Sequence, residues 1–178
     1  MRTPSFLLVS VLMCSVSGTA YAQSPSNPPP PLPASTGAAM PYLQIAGDSD
    51  VYEVTSSQIA LQRSQNSKVR AFATMLIDHH TKTTNATLTQ AKAAGLMPPP
   101  AVLGQGNRSK IDQLYAATPG DFDRVYVAQQ IPAHEQALAV QTAYAAQGDK
   151  APLRTSAKAA IPIITQHLEH ARALQAVR

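Results

Sequence analysis

From Met40 onward, apolar side chains recur at intervals of three and four residues, and no stretch alternates polar with apolar as a strand does. That rhythm restricts the chain to helices whose apolar stripes bury one another. Alanine is abundant and β-branched runs are short, so local propensity agrees with the pattern. Four long helices are predicted, over residues 39–64, 67–94, 120–147 and 152–177. Asn66 or Ser67 caps the second, and Gly95 followed by Pro98, Pro99 and Pro100 stops it. Gly148 ends the third, and Pro152 suits the first turn of the fourth.

The links between these segments set the topology. The first and last links are a few residues long, which makes each flanking pair an antiparallel hairpin. The middle link, residues 95–119, has 25 residues and room for a short helix over 109–116. Such a link spans up to ~60 Å, more than the ~40 Å length of one long helix. One long crossover between two hairpins is the ferritin-like form of the four-helix bundle, and that all-α class is the expectation.

The N-terminus reads as a secretory signal over residues 1–22. Arg2 precedes an apolar core of 11 residues, 6–16, and Ala20-Tyr21-Ala22 fits the small-x-small cleavage rule. A membrane-spanning helix needs about 20 apolar residues, so no anchor is expected after cleavage. Met13 before Cys14 fits a lipoprotein box poorly, so no lipid is expected either. Residues 23–38 form a Pro-rich leader too polar to pack, and the bundle occupies 39–178. The expected location is the periplasm or the exterior. Removing 22 residues from 178 leaves 156, which is ample for one core. Cys14 is the sole cysteine, so the mature part has none. Cysteine nucleophiles, iron–sulfur clusters and thiolate zinc sites are thereby excluded. The remaining charges are scattered without a basic stripe, which argues against a nucleic-acid partner.

Each predicted helix carries one metal-competent side chain on its inward stripe. The second stripe is Ala73, Leu76, His80, Thr84, Leu88 and Ala91. The third is Val127, Ile131, His134, Leu138, Thr142 and Ala145. The fourth is Leu153, Ala157, Ala160, Ile164, His167, Ala171 and Leu174, while Ala46, Glu53 and Ala60 repeat along the first. Glu53, His80, His134 and His167 all fall within three residues of their helix midpoints, or about 5 Å. Buried imidazoles and carboxylates are costly unless paired. Two readings follow: a His₃-carboxylate site for zinc, copper, nickel or iron, or a metal-free polar layer.

Neighbouring residues take lesser roles. Asp78, His79 and His170 are candidates to support the site, or to lie on the surface beside it. Met75 is read as core filler. Pro132 and Pro162 interrupt the third and fourth helices just before their histidines. Each should kink its helix, either aiming the histidine or relieving packing. Leu138 stands where an H-E-x-x-H motif needs its second histidine, so a zincin site is rejected. Gly104-Gln105-Gly106 lacks the later glycine of a nucleotide loop, and there is no G-x-S-x-G elbow.

These residues resemble a known family. Tyr52-Glu53-Val54 with Ile59-Ala60, Ala71-Phe72-Ala73-Thr74-Met75 with Asp78-His79-His80-Thr81, Asp121-Phe122-Asp123-Arg124-Val125-Tyr126 leading to His134, and Ile161-Pro162-Ile163 leading to His167-Leu168 match the bacterial domain of unknown function 4142 family in order. The resemblance covers about Met40 to Leu174. His79 departs from the acidic residue expected before His80. The resemblance implies an exported ferritin-like domain without a settled activity. Ferritin-like di-iron enzymes use two Glu-x-x-His pairs, and this chain has none, so that chemistry is rejected. The leading expectation is an envelope protein that binds or buffers a transition metal. The alternatives are a non-catalytic interaction or stress-associated bundle with a polar core, and, less favoured, a mononuclear metal oxidoreductase. Intact mass of the exported protein is expected to begin at Gln23. A mature chain that retained residues 1–22, or carried lipid on Cys14, would overturn that cleavage site.

Overall fold

The computed structural model describes residues 37–176. The signal sequence expected over residues 1–22, and all but the last two residues of the leader, lie outside them. Among the described residues the protein is all-α, with five helices: α1 (Ala39–Arg63), α2 (Ser67–Ala93), α3 (Gln105–Ala116), α4 (Phe122–Gln147) and α5 (Ala151–Ala176). Residues 64–66 turn α1 into α2, and residues 148–150 turn α4 into α5.

Cross-helix hydrogen bonds fix the directions. The Tyr42 hydroxyl donates to Gln141 Oε1 at 2.8 Å, and the Tyr52 hydroxyl donates to Gln129 Oε1 at 3.1 Å. Ser57 meets Tyr126 at 2.9 Å. Positions rise along α1 as they fall along α4, so the two are antiparallel. Thr87 meets Ser156 at 2.9 Å and His79 meets His167 at 2.8 Å, so α2 and α5 are antiparallel as well. It follows that α2 and α4 run in the same sense, and the crossover carries the chain back between them.

The helix ends follow from local chemistry. Asn66 Oδ1 accepts the Lys68 backbone N–H at 2.9 Å and caps α2. At the other end Gly95 adopts φ +75°, the left-handed conformation that glycine takes without strain. The Gly95 N–H then reaches Lys92 O at 3.0 Å and the Leu96 N–H reaches Ala91 O at 2.9 Å, a Schellman stop. The crossover helix starts at Gln105, four residues before the expected 109. The Gly104 N–H donates to Asp48 Oδ1 at 2.7 Å and the Gly104 carbonyl accepts from Arg108 at 2.9 Å, so the segment read as a loop opens α3. Phe122 rather than Gly120 begins α4, because the Phe122 N–H is held in a turn by Thr118 O at 2.9 Å.

Two apolar clusters fill the interior. One gathers Tyr52, Ile59, Phe72, Leu76, Phe122, Tyr126, Ala133, Ala171 and Leu174 among others. The other gathers Tyr42, Leu43, Ala91, Val140, Tyr144, Leu153 and Ala157 among others. On each of α2, α4 and α5 the chain passes from one cluster to the other, and the histidine of that helix lies at the crossing. The polar layer thus divides the core at mid-height.

Burial corrects two of the expected stripes. Leu88 is 47% exposed, and Ala91 takes the buried place near the end of α2. On α4 the buried face is Phe122, Tyr126, Gln130, Ala133, Val140 and Tyr144, with Val127 and His134 beside it. Thr142 is exposed and Leu138 only half-buried, because Tyr144 claims the interior by stacking on Tyr42, ring centroids 3.8 Å apart. Helix α5 keeps its expected stripe, with Ala160 half-buried. Pro132 and Pro162 lie inside α4 and α5 and are exposed to solvent.

Gly148 ends α4 directly over the Tyr144 ring. A Cβ there would sit 2.5 Å from a ring carbon, and the ring is pinned by Tyr42. Gly148→Ala is therefore expected to cost about 1–3 kcal/mol as an overpacked contact. Urea unfolding monitored by helical circular dichroism measures it, and an unchanged midpoint would contradict this packing.

Candidate metal centre

Four buried polar side chains occupy the layer between the clusters. Glu53 from α1 is 2% exposed, His80 from α2 5%, and His134 from α4 and His167 from α5 1% each. The three imidazoles face one another, with ring centroids 5.3–5.8 Å apart. One nitrogen from each ring lies within 4.8 Å of the others. The mutually close set comprises the three histidines. Glu53 stands beside it, its Oε1 3.7 Å from His134 Nδ1.

Each ring is held by one of its nitrogens. His134 Nδ1–H donates to the Gln130 carbonyl at 2.8 Å, one turn back along α4, because a carbonyl can only accept. His80 Nδ1–H donates to the Asp50 carboxylate at 2.8 Å. That carboxylate also accepts from the Thr84 hydroxyl, which ties α1 to α2. His167 Nε2 pairs with His79 Nδ1 at 2.8 Å, and the two rings stack. The remaining nitrogens, His80 Nε2, His134 Nε2 and His167 Nδ1, are buried and have no hydrogen-bond partner in the protein. Neither does either carboxylate oxygen of Glu53.

The surroundings treat the histidines differently. Burial disfavours a charged His80, but the hydrogen bond and negative charge of Asp50, with Glu53 behind it, outweigh burial and raise its pKa. His167 has no acidic partner. Burial first, then the neighbouring histidines, push its pKa down to about 2 and keep it neutral.

The supporting candidates separate cleanly. His79 is half-buried and touches His167. Asp78 is exposed and pairs with Lys82 one turn on, at 2.7 Å, away from the histidines. His170 is exposed as well. Asp50 and Gln130 were missed by sequence reasoning. Asp50 lies three residues before Glu53 and so shares its face of α1, a spacing that marks it in retrospect. Gln130 acts through its backbone carbonyl toward His134, a role no residue type reveals.

The fold and site together define a class: an all-α bundle with three histidines converging in its core. A family model described as domain of unknown function (DUF4142) matches residues 24–174, and the chain belongs to that family. No curated protein and no solved structure matches it. Among the described residues no helix is long and apolar enough to cross a membrane.

The shift of His167 carries a pH signature. Unfolded, it titrates near about 6.5. Folded, it is held at about 2, so protons bind the unfolded chain first. The stability contributed by neutral His167 is complete above pH ~6.5 and drains as the pH falls from there. His80 has the opposite sign: its raised pKa stabilises below about 6.5, and that contribution is lost as the pH rises through its folded value. For the metal-free protein, the stability gap between wild type and His167→Gln is expected to narrow as pH falls from about 7 to about 4. Urea midpoints for both proteins measure the gap, and a constant or widening one would contradict a neutral buried His167.

Proposed function

We propose that this protein is an exported, ferritin-like bundle that binds one transition-metal ion in its core, through His80, His134 and His167 with Glu53 as fourth ligand. The observation that carries this reading is the set of three buried ring nitrogens, one on each of these close-set histidines, without a hydrogen-bond partner. Two of them, on His80 and His134, are lone pairs by tautomer, since the opposite nitrogen donates its hydrogen. If His167 likewise donates from Nε2 to His79, its Nδ1 is a third. Lone pairs cannot satisfy one another, but a shared cation satisfies all three.

The outer contacts support the same reading. Metal-bound histidines usually donate their second nitrogen to a carboxylate, a backbone carbonyl or water. Asp50 and the Gln130 carbonyl fill two such roles here, and His79 stands in the third place, its Nδ1 2.8 Å from His167 Nε2. A buried carboxylate without donors is costly, and a cation beside Glu53 removes that cost. Three imidazoles with one carboxylate suit zinc, copper, nickel or iron and do not choose among them. The two hairpins, with α2 and α4 running the same way, support the ferritin-like topology. The signal sequence supports export to the periplasm or beyond, where the protein would bind or buffer metal.

One observation favours a metal-free polar layer instead. His80, with its raised pKa, can take a second proton and donate from Nε2 to a neighbouring ring. Thermal unfolding of the purified mature protein at neutral pH distinguishes the two. A metal that binds only the folded state, at about 100 times its Kd, adds about 2.7 kcal/mol, or several degrees of Tm. His80→Ala, His134→Ala and His167→Ala are each expected to abolish stoichiometric binding, while His170→Ala leaves it nearly intact. If zinc, copper, nickel and iron all leave Tm unchanged, the histidines form a structural layer and the metal reading falls.

A further inference from the structure

A partly open cavity of about 70 Å³ adjoins the histidine layer and is lined in part by His80 and His167. On the measure by which about 10–15 Å³ accommodates one water, it holds a few water-sized molecules. Pockets that bury drug-sized ligands are several times larger, at about 300 Å³ and above. Its wall mixes polar groups, among them Asp50, Thr83 and Gln136, with Ala137 and Ala160. A shallow groove on the seam of α2 and α5 shares Thr83, Thr87, Ala160 and Ile163 with this wall. Small side chains, Ala86, Thr87, Ser156 and Ala159 among them, line that groove.

The geometry points to a coordination position that faces this cavity and accepts a small exogenous ligand of two or three heavy atoms with an oxygen or nitrogen donor, hydroperoxide being the type. The inference rests on the metal reading above. Three facts lead to it. The cavity touches two of the three metal-competent histidines. Its size admits a diatomic or triatomic ligand and rejects a sugar, a peptide or a nucleotide. The polar groups in its mixed wall offer hydrogen bonds to the distal atom of such a ligand, which a wholly apolar void would not. Glu53 and His134 are absent from that wall, so the carboxylate and the small ligand approach from different sides. A site meant only to store metal is served best by closed coordination, whereas one with an adjoining cavity has room for an exchangeable position.

The test uses the mature protein loaded with copper(II), with azide as the probe. Metal uptake is measured first, by stoichiometry after gel filtration. Azide is then titrated, and its charge-transfer band to copper is followed in the visible spectrum. Wild type is expected to show a saturable band. Ala160→Leu and Ala137→Leu, which narrow the cavity while leaving every proposed ligand in place, are expected to keep one copper per chain and bind azide at least tenfold more weakly. Two variants from different helices are used so that poor folding of one does not end the test, and the wild-type titration decides even if both fold poorly. Copper uptake without an azide band in wild type overturns this inference and leaves the metal site standing. Unchanged azide affinity in a folded, copper-loaded variant overturns it too. No uptake of copper by wild type removes the copper site and this inference together.

Discussion

Everything in this molecule is arranged around a polar layer buried at mid-height in the bundle. Four ionisable side chains lie at mid-height between two apolar clusters, and a buried polar group without a partner costs a few kcal/mol. The structure meets that cost only on the outer side of each ring. His134 leans on its own helix, His80 on Asp50 of α1, and His167 on His79 of α2. The apolar clusters above and below act as stops. Sliding any one helix by a turn would drive an imidazole into hydrocarbon and draw an apolar residue into the polar layer. Register is therefore set more firmly than the modest amphipathicity of α1 and α4 would suggest.

Much of this was legible from the chain, and the gaps have physical causes. The stripe on α5 reads directly because its apolar residues keep one face from Leu153 to Leu174. The stripe on α4 misleads in its second half. Alanines there occur on several faces, and two aromatic rings at a distance, Tyr42 and Tyr144, decide which face turns inward. The layer itself was visible as one polar residue per stripe at a common height, and all four are buried. The partners of those residues were less visible. Asp50 carries a periodic signal, but a backbone carbonyl such as that of Gln130 carries none. The onset of α3 at Gln105 hinges on a contact with Asp48 across a long span of sequence, which no local propensity encodes.

Family membership and fold do not by themselves supply a reaction. Here the donor set narrows the chemistry more than the architecture does. Helical bundles that run di-iron chemistry collect several carboxylates at their centre. This layer collects three imidazoles, with Asp50 on the Nδ1 of His80 and Glu53 3.7 Å from His134 as the carboxylates beside them. The charge balance is correspondingly different. An ion held there, mainly by neutral imidazoles, would keep most of its positive charge.

Arg63, the last residue of α1, reaches across to the crossover. Its guanidinium donates to the carbonyls of Leu114, Tyr115 and Ala117, which α3 leaves open at its C-terminus, and lies over the ring of Phe122, 4.9 Å from its centroid. One side chain thereby closes a helix end and seats the first residue of the next helix. In the language of cooperative units, α3 belongs with α1 more than with the hairpin that follows it. The long connection is thus fastened at its far end as well as its near one, and its backbone amides should exchange with solvent in step with those of α1.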